Sequence, residues 1–202
     1  MINTVKNELN EIKELASLIH KMSTNVYLNK LSEISGIIVN ALVGERKNLT
    51  AGNGGSAAEA NHFAAELSGK FENMARRALP AASLNTNDSI LTAVANDFGF
   101  EQVFSRQVAA LGRPGDVFIG FSTSGNSKNI IEAVKQCKKA DITTIGILGR
   151  DGGAAGNLCD FTLVVPSKRV PRIQEIHALI VHIICSSVDR YFTTGKYHLS
   201  QY

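Results

Sequence analysis

LTAGNGGSAAEANHFAAEL, residues 49–67, is the stretch whose reading decides the fold. A short apolar run at 49–51 enters a cluster of glycines, and a helical pattern follows over 57–67. The layout recurs at 117–139, VFIGFSTSGNSKNIIEAVKQCKK, where an apolar run meets a small-residue loop and then a helix. Further outward, apolar runs at 79–84, 143–148 and 161–165 alternate with helical patterns at 89–94, 101–111 and 172–192. Strands alternating with helices predict an α/β fold: a three-layer α-β-α sandwich on a five-stranded parallel sheet covered on both faces. Residues 149–156, GRDGGAAG, read as a loop or a loop with one frayed turn.

Two amphipathic helices precede this succession. Over residues 2–23, Ile2, Val5, Leu9, Ile12, Leu15, Ala16 and Ile19 recur at spacings of three and four. Over 27–43, Leu28, Leu31, Ile34, Ile38 and Leu42 share one side. Helices ahead of the first strand need an apolar surface to cover, either the core or another subunit, and we favour a subunit contact. Residues 1–47 are therefore expected to pack in an oligomer, 48–195 to form the main domain, and 196–202 to fray.

The chain carries 21 basic and 18 acidic residues, a net charge of +3. That excess is too small to imply nucleic acid as a partner. Arg76, Arg77, Lys168, Arg169 and Arg172 are candidates for local basic spots, which suit a small anion better than a polymer. Cys137, Cys159 and Cys185 are odd in number and lack metal-ligand spacing, so they read as reduced thiols of a cytoplasmic protein. The first residues are too polar for a signal peptide. No apolar run reaches the roughly 18 residues of a membrane span, so no membrane partner is expected.

The chemistry concentrates in two loops and two helices. Backbone N–H groups of the 52–56 loop, at the start of a helix, favour an oxyanion. Ser56 adds a hydroxyl there, and Asn53 an amide. Residues 52–57 also fit a loose dinucleotide fingerprint, which their place after two helices argues against. The 122–127 loop, STSGNS, holds Ser122, Thr123, Ser124 and Ser127, enough hydroxyls to surround one phosphate, and Ser127 is a candidate helix cap. His62 and Glu66 lie four apart on one predicted helix; Gln174 and His182 lie eight apart on another. Each spacing keeps its pair on one face. The His62–Glu66 pair alone is also compatible with an ordinary surface pair. The last helix is strongly apolar, so Gln174 and His182 need partners within it. The four residues read either as ligands to one divalent metal or as the acid and base of a proton transfer. His177 sits at another angle and is expected to play a structural hydrogen-bonding role.

Over 49–191 the chain resembles the phosphoheptose isomerase family, within the sugar isomerase (SIS) domain class. The motifs carrying the resemblance are GNGGS at 52–56, HFAAEL at 62–67, NDFGF at 96–100, STSGNS at 122–127, GRDGG at 149–153 and RIQEIH at 172–177. The resemblance implies isomerisation of sedoheptulose 7-phosphate to D-glycero-D-manno-heptose 7-phosphate by enediol proton transfer, the first step of bacterial heptose synthesis. It implies Glu66 and His182 as catalytic residues, and a zinc ion per subunit held by His62, Glu66, Gln174 and His182. Asn53, Gly54, Ser56, Asp97, Ser122, Thr123, Ser124, Ser127 and Gln174 are implied as substrate contacts. A cytoplasmic homotetramer with sites at subunit interfaces is implied as well. Lys70 stands where many members have arginine, Glu59 replaces a commoner aspartate, and Pro171 sits where some members have an acidic residue. Two other readings share the loops: a non-enzymatic relative that binds the replication initiator, and a sugar-phosphate-sensing module. The first has asparagine where this chain has His182.

Overall fold

The computed structural model describes residues 2–195. The expected fraying of 196–202 and the packing of the Ile2 side chain lie outside what it describes. Five strands, β1 (Asn48–Ala51), β2 (Ala81–Ser83), β3 (Val117–Ser122), β4 (Thr143–Gly149) and β5 (Phe161–Val165), form one sheet in the order β2-β1-β3-β4-β5. Every pairing is parallel, with Leu49 opposite Phe118 and Ile119 opposite Ile145.

Period-2 alternation divides the core. Val117, Ile119 and Phe121 of β3 face one layer, with α2 (Asn25–Val43), α3 (Gly55–Ser68) and α8 (Val170–Thr194). Phe118 faces the other, with α5 (Ser105–Leu111) and α6 (Lys128–Lys139). Two buried layers, one on each sheet face, give the expected three-layer sandwich. At Gly120 an added Cβ would come 2.9 Å from Ile130, so the missing side chain lets α6 approach the sheet.

The N-terminal helices behave differently from one another. Leu31, Ile34, Ile38 and Leu42 of α2 are buried in the chain's own core, where α2 packs on α8. It is the one described helix long and apolar enough to cross a membrane, but that apolar face is occupied by the core. On α1 (Ile2–Met22), Leu18 and Met22 join the core while Val5, Leu9, Ile12 and Ile19 stay exposed. Arg169 holds α1 through Glu11 and Glu14, and Arg172 through the Glu11 carbonyl.

Three local readings change. The helix expected over 89–94 is α4 (Asp88–Phe98), opened by Asn87, whose side chain accepts from the Ile90 N–H. The pattern at 101–111 splits into a 3₁₀ turn (Phe100–Gln102) and α5. The 149–156 loop runs into a short α7 (Gly153–Leu158).

Candidate active site

In a sheet of order 2-1-3-4-5 the chain reverses direction between β1 and β3, and their carboxyl ends flank the crevice where open α/β sheets take ligands. The 52–56 and 122–127 loops leave those two strand ends. Gly52 is required by the turn, since a Cβ there would sit 2.2 Å from the Ser56 carbonyl oxygen. Two reciprocal amide pairs hold the first loop. Asn85 accepts from the Gly52 N–H at 3.0 Å and donates to its carbonyl at 2.8 Å. Asn53 and Asn129 exchange hydrogen bonds at 2.9 and 2.8 Å, which ties the loop to α6.

The second loop is braced by the turn after β4. Gly125 has φ +66° and lies so close to Gly152 that an added Cβ would be 2.0 Å from its carbonyl oxygen. Ala155 N–H donates to the Gly125 carbonyl, and Ala154 N–H to Asn126 Oδ1. Within the loop, Ser122 and Ser127 hydroxyls pair at 2.9 Å, and Ser124 Oγ accepts from Asn126 N–H. Ser127 does occupy the cap position of α6, but its hydroxyl makes no cap hydrogen bond because Ser122 holds it. Gly54 likewise opens α3 without a side-chain cap. Neither helix start is capped by its own N-cap side chain, although in α6 the Ile130 N–H donates to Asn129 Oδ1, and the remaining free N–H groups favour an anion.

Helices α3 and α8 lie side by side and bring the separated motifs together. His62 Nε2 is 3.1 Å from Glu66 Oε1 and 3.3 Å from His182 Nε2. One ligand atom from each of His62, Glu66 and His182 falls within 4.8 Å of the others, a spacing that one metal ion could bridge. Gln174 is placed one end further along: its amide lies against Gly55, where a Cβ would be 2.3 Å from Nε2. Asp97 lies exposed on α4, where it accepts from Asn96.

The structure adds contacts to the cluster from Glu59, named in the sequence only as a departure from the family, and from Phe71. Glu59 approaches the other face of His62, Oε2 to Nδ1 at 3.8 Å, and burial raises its pKa against the pull of His62 and His182. Its spacing of three before His62 was a signal for that contact. The Phe71 ring lies 5.9 Å from His182 at 33°, and no spacing rule points to it. The proposed basic spots largely disappear. Arg76 and Arg172 are buried and paired, with Asp189 and Glu175, and Arg169 is paired with Glu11 and Glu14. The long aliphatic stem of arginine permits such burial wherever carboxylates and carbonyls meet its fork.

His177 is also corrected. It is fully buried and edge-on to Phe121, and neither ring nitrogen makes a hydrogen bond. Burial lowers its pKa to about 4, which the backbone near Leu148 offsets only in part. The three cysteines are free thiols, and burial pushes Cys159 and Cys185 up to about 12.

Comparison with known proteins places this geometry among relatives. A family model for the SIS domain matches residues 10–149. The phosphoheptose isomerase of Sulfurimonas denitrificans is 46% identical over 186 residues, covering 92% of this chain and 94% of that one. A solved phosphoheptose isomerase from Neisseria gonorrhoeae superposes with a TM-score of 0.86 at 40% identity, covering 93% of this chain and 99% of its own. One from Francisella tularensis gives 0.89 at 34% identity, covering 93% and 98%.

Proposed function

The chain belongs to the SIS-domain phosphoheptose isomerases, and we propose that its reaction, isomerisation of sedoheptulose 7-phosphate to D-glycero-D-manno-heptose 7-phosphate, runs on Glu66 and His182. The observation that carries this is the meeting of His62, Glu66 and His182, the first two on the helix that opens at the crevice without a side-chain cap. The ketose phosphate anchors its ester on Ser56 and on Ser122, Thr123, Ser124 and Ser127, with Gly54, Asn53, Gln174 and Asp97 holding the open chain. Glu66 removes the proton from C1, next to the C2 carbonyl, and the electron pair moves toward the carbonyl oxygen to give an enediol. Return of a proton to C2, with the C2 oxygen protonated and the C1 hydroxyl giving up its hydrogen to become the aldehyde carbonyl, completes the aldose. His182 moves a proton at the oxygen end, or at the second carbon, of the same intermediate.

Two imidazoles and a carboxylate form a borderline donor set that suits zinc, with Gln174 as a fourth oxygen donor. A bound zinc ion would polarise the carbonyl or hydroxyl and stabilise the enediolate. Glu66 cannot be a tight ligand and a free base at once, so it must be weakly held or shift when substrate binds.

The working form in this reading is a cytoplasmic homotetramer with sites at subunit interfaces. Its support is exposed apolar surface: Val5, Leu9 and Ile12 on α1, Leu179 and Ile183 on α8, and Phe98 and Phe100 near Asp97. A second copy covering α4 is a route by which Asp97 reaches a sugar. The heptose product feeds lipopolysaccharide or capsule synthesis. The test is an isomerase assay with sedoheptulose 7-phosphate in deuterated water. Turnover with at least partial deuterium in the product is expected; no turnover of any ketose phosphate by folded, zinc-supplied protein would remove the enzyme reading.

A further inference from the structure

Helix α3 ends at Ser68, so its last carbonyls need donors from outside the helix. Gly69 N–H donates to the Ala65 carbonyl and Leu79 N–H to that of Leu67, and Arg76 adds side-chain donors. Its Nη2 donates to the carbonyl of Glu66 at 2.7 Å and its Nη1 to that of Leu67 at 3.0 Å. The same guanidinium donates from Nε to Asp189 Oδ1 at 2.5 Å, on α8. Asp189 uses its other oxygen to accept from the Asn73 N–H at 2.9 Å. Both partners are buried, the arginine side chain 1% exposed and the aspartate 7%. Asp189 lies seven residues beyond His182, two helical turns along the same face. The segment between Gly69 and Arg76 also carries Phe71, whose ring lies against His182.

We propose that the Arg76–Asp189 ion pair is a positioning device for the proton-transfer pair: it fixes the backbone of Glu66 to the face of α8 that presents His182. This rests on the reading of Glu66 and His182 as that pair. A helix cap that only stabilised α3 would need the two carbonyl contacts and nothing on α8. Here one planar fork makes both sets at once, which lysine cannot reproduce. Catalytic distances are steep: a displacement of about 1 Å between reacting groups can cost about 10²-fold in rate.

The test uses Arg76→Lys and Asp189→Asn in the full chain, each alone and combined with Glu66→Gln. Both keep volume and polarity, and circular dichroism and light scattering confirm fold and assembly below the melting temperature. The expected result is a kcat lowered about 10- to 100-fold with KM changed by less than about 3-fold. In the Glu66→Gln background the same substitutions should lower kcat no further, because the group they position is already gone. Wild-type kcat in folded Arg76→Lys and Asp189→Asn overturns the proposal. So does a loss that multiplies fully with that of Glu66→Gln, which marks a general structural role. If Glu66→Gln alone keeps wild-type turnover, the acid–base reading itself falls and takes the proposal with it.

Discussion

His62 and His182 meet Nε2 to Nε2 at 3.3 Å, their rings nearly perpendicular at 86°. Two imidazole nitrogens so close either share one hydrogen or direct both lone pairs at one cation. The second arrangement also uses Glu66 Oε1, 3.1 Å from His62. Protein prepared without chelator should therefore hold about one zinc per subunit by elemental analysis. His62→Ala should weaken zinc by more than the about 10- to 100-fold that loss of an outer-shell partner costs. Full turnover after exhaustive chelation would exclude the metal from the mechanism.

Glu66 and His182 are accessible enough for substitution without unfolding, the Glu66 side chain being 23% exposed and His182 exposed. Glu66→Gln and His182→Asn should each lower kcat about 10²-fold or more, the usual worth of a positioned acid or base. Their melting temperatures should stay close to wild type, since surface changes cost within about 0.5 kcal/mol. Steady-state kinetics beside thermal melts checks both halves. A variant that loses activity only by unfolding would count against the role.

What was legible in the sequence follows from periodicity and local spacing. The succession of apolar runs and helix patterns, 117–121 and 57–67 among them, was enough for the layers and for the loops at the strand ends. The four-residue step from His62 to Glu66 gave their shared face, but the burial expected of His182 on its apolar helix did not hold: His182 is exposed, and the buried histidine of that helix is His177. Contacts between distant segments were not legible. Nothing local distinguishes Arg76 from its neighbour Arg77, yet one is buried against Asp189 and the other lies over the Phe192 ring. His177 and His182 share a helix five residues apart, and only the packing of α8 on Phe121 makes one a buried base and the other a site residue.

Gly54 and Gly125 both have positive φ, +56° and +66°, but different surroundings. Gly54 faces open space, whereas a Cβ on Gly125 would drive into the Gly152 backbone. Gly54→Ala should therefore cost only the conformational term, about 1–3 kcal/mol for an L residue held at φ +56° and ψ −122°. Gly125→Ala adds a backbone clash and should cost more than that in urea unfolding. It should also weaken binding of inorganic phosphate, because the 122–127 loop must shift. Equal stabilities for the two variants would show that the Gly125–Gly152 brace is not maintained in solution.

His177 makes a prediction about acid stability that the catalytic groups do not share. Its folded pKa is lowered from 6.5 to about 4 by burial. Above pH 6.5 the imidazole is neutral in both folded and unfolded chains, and the full stability is present. As pH falls from 6.5 toward 4, the unfolded chain takes up a proton that the folded one refuses, so stability is lost. At about 1.4 kcal/mol per pH unit, the loss reaches about 2 kcal/mol near pH 5 and levels off at ~3 kcal/mol below pH 4. Carboxylates titrate in the lower part of that window as well. Asp160, for one, keeps a lowered pKa through Thr144 and Lys138 although burial opposes it. The measurement must therefore be a difference between wild type and His177→Leu, which removes the imidazole and keeps an apolar side chain against Phe121. Urea unfolding at about pH 7.5 and about pH 5 should show the wild type losing ~2 kcal/mol more than the variant on acidification. A difference that stays constant across the two pH values would mean that His177 acquires a proton, and a partner for it, within the folded protein.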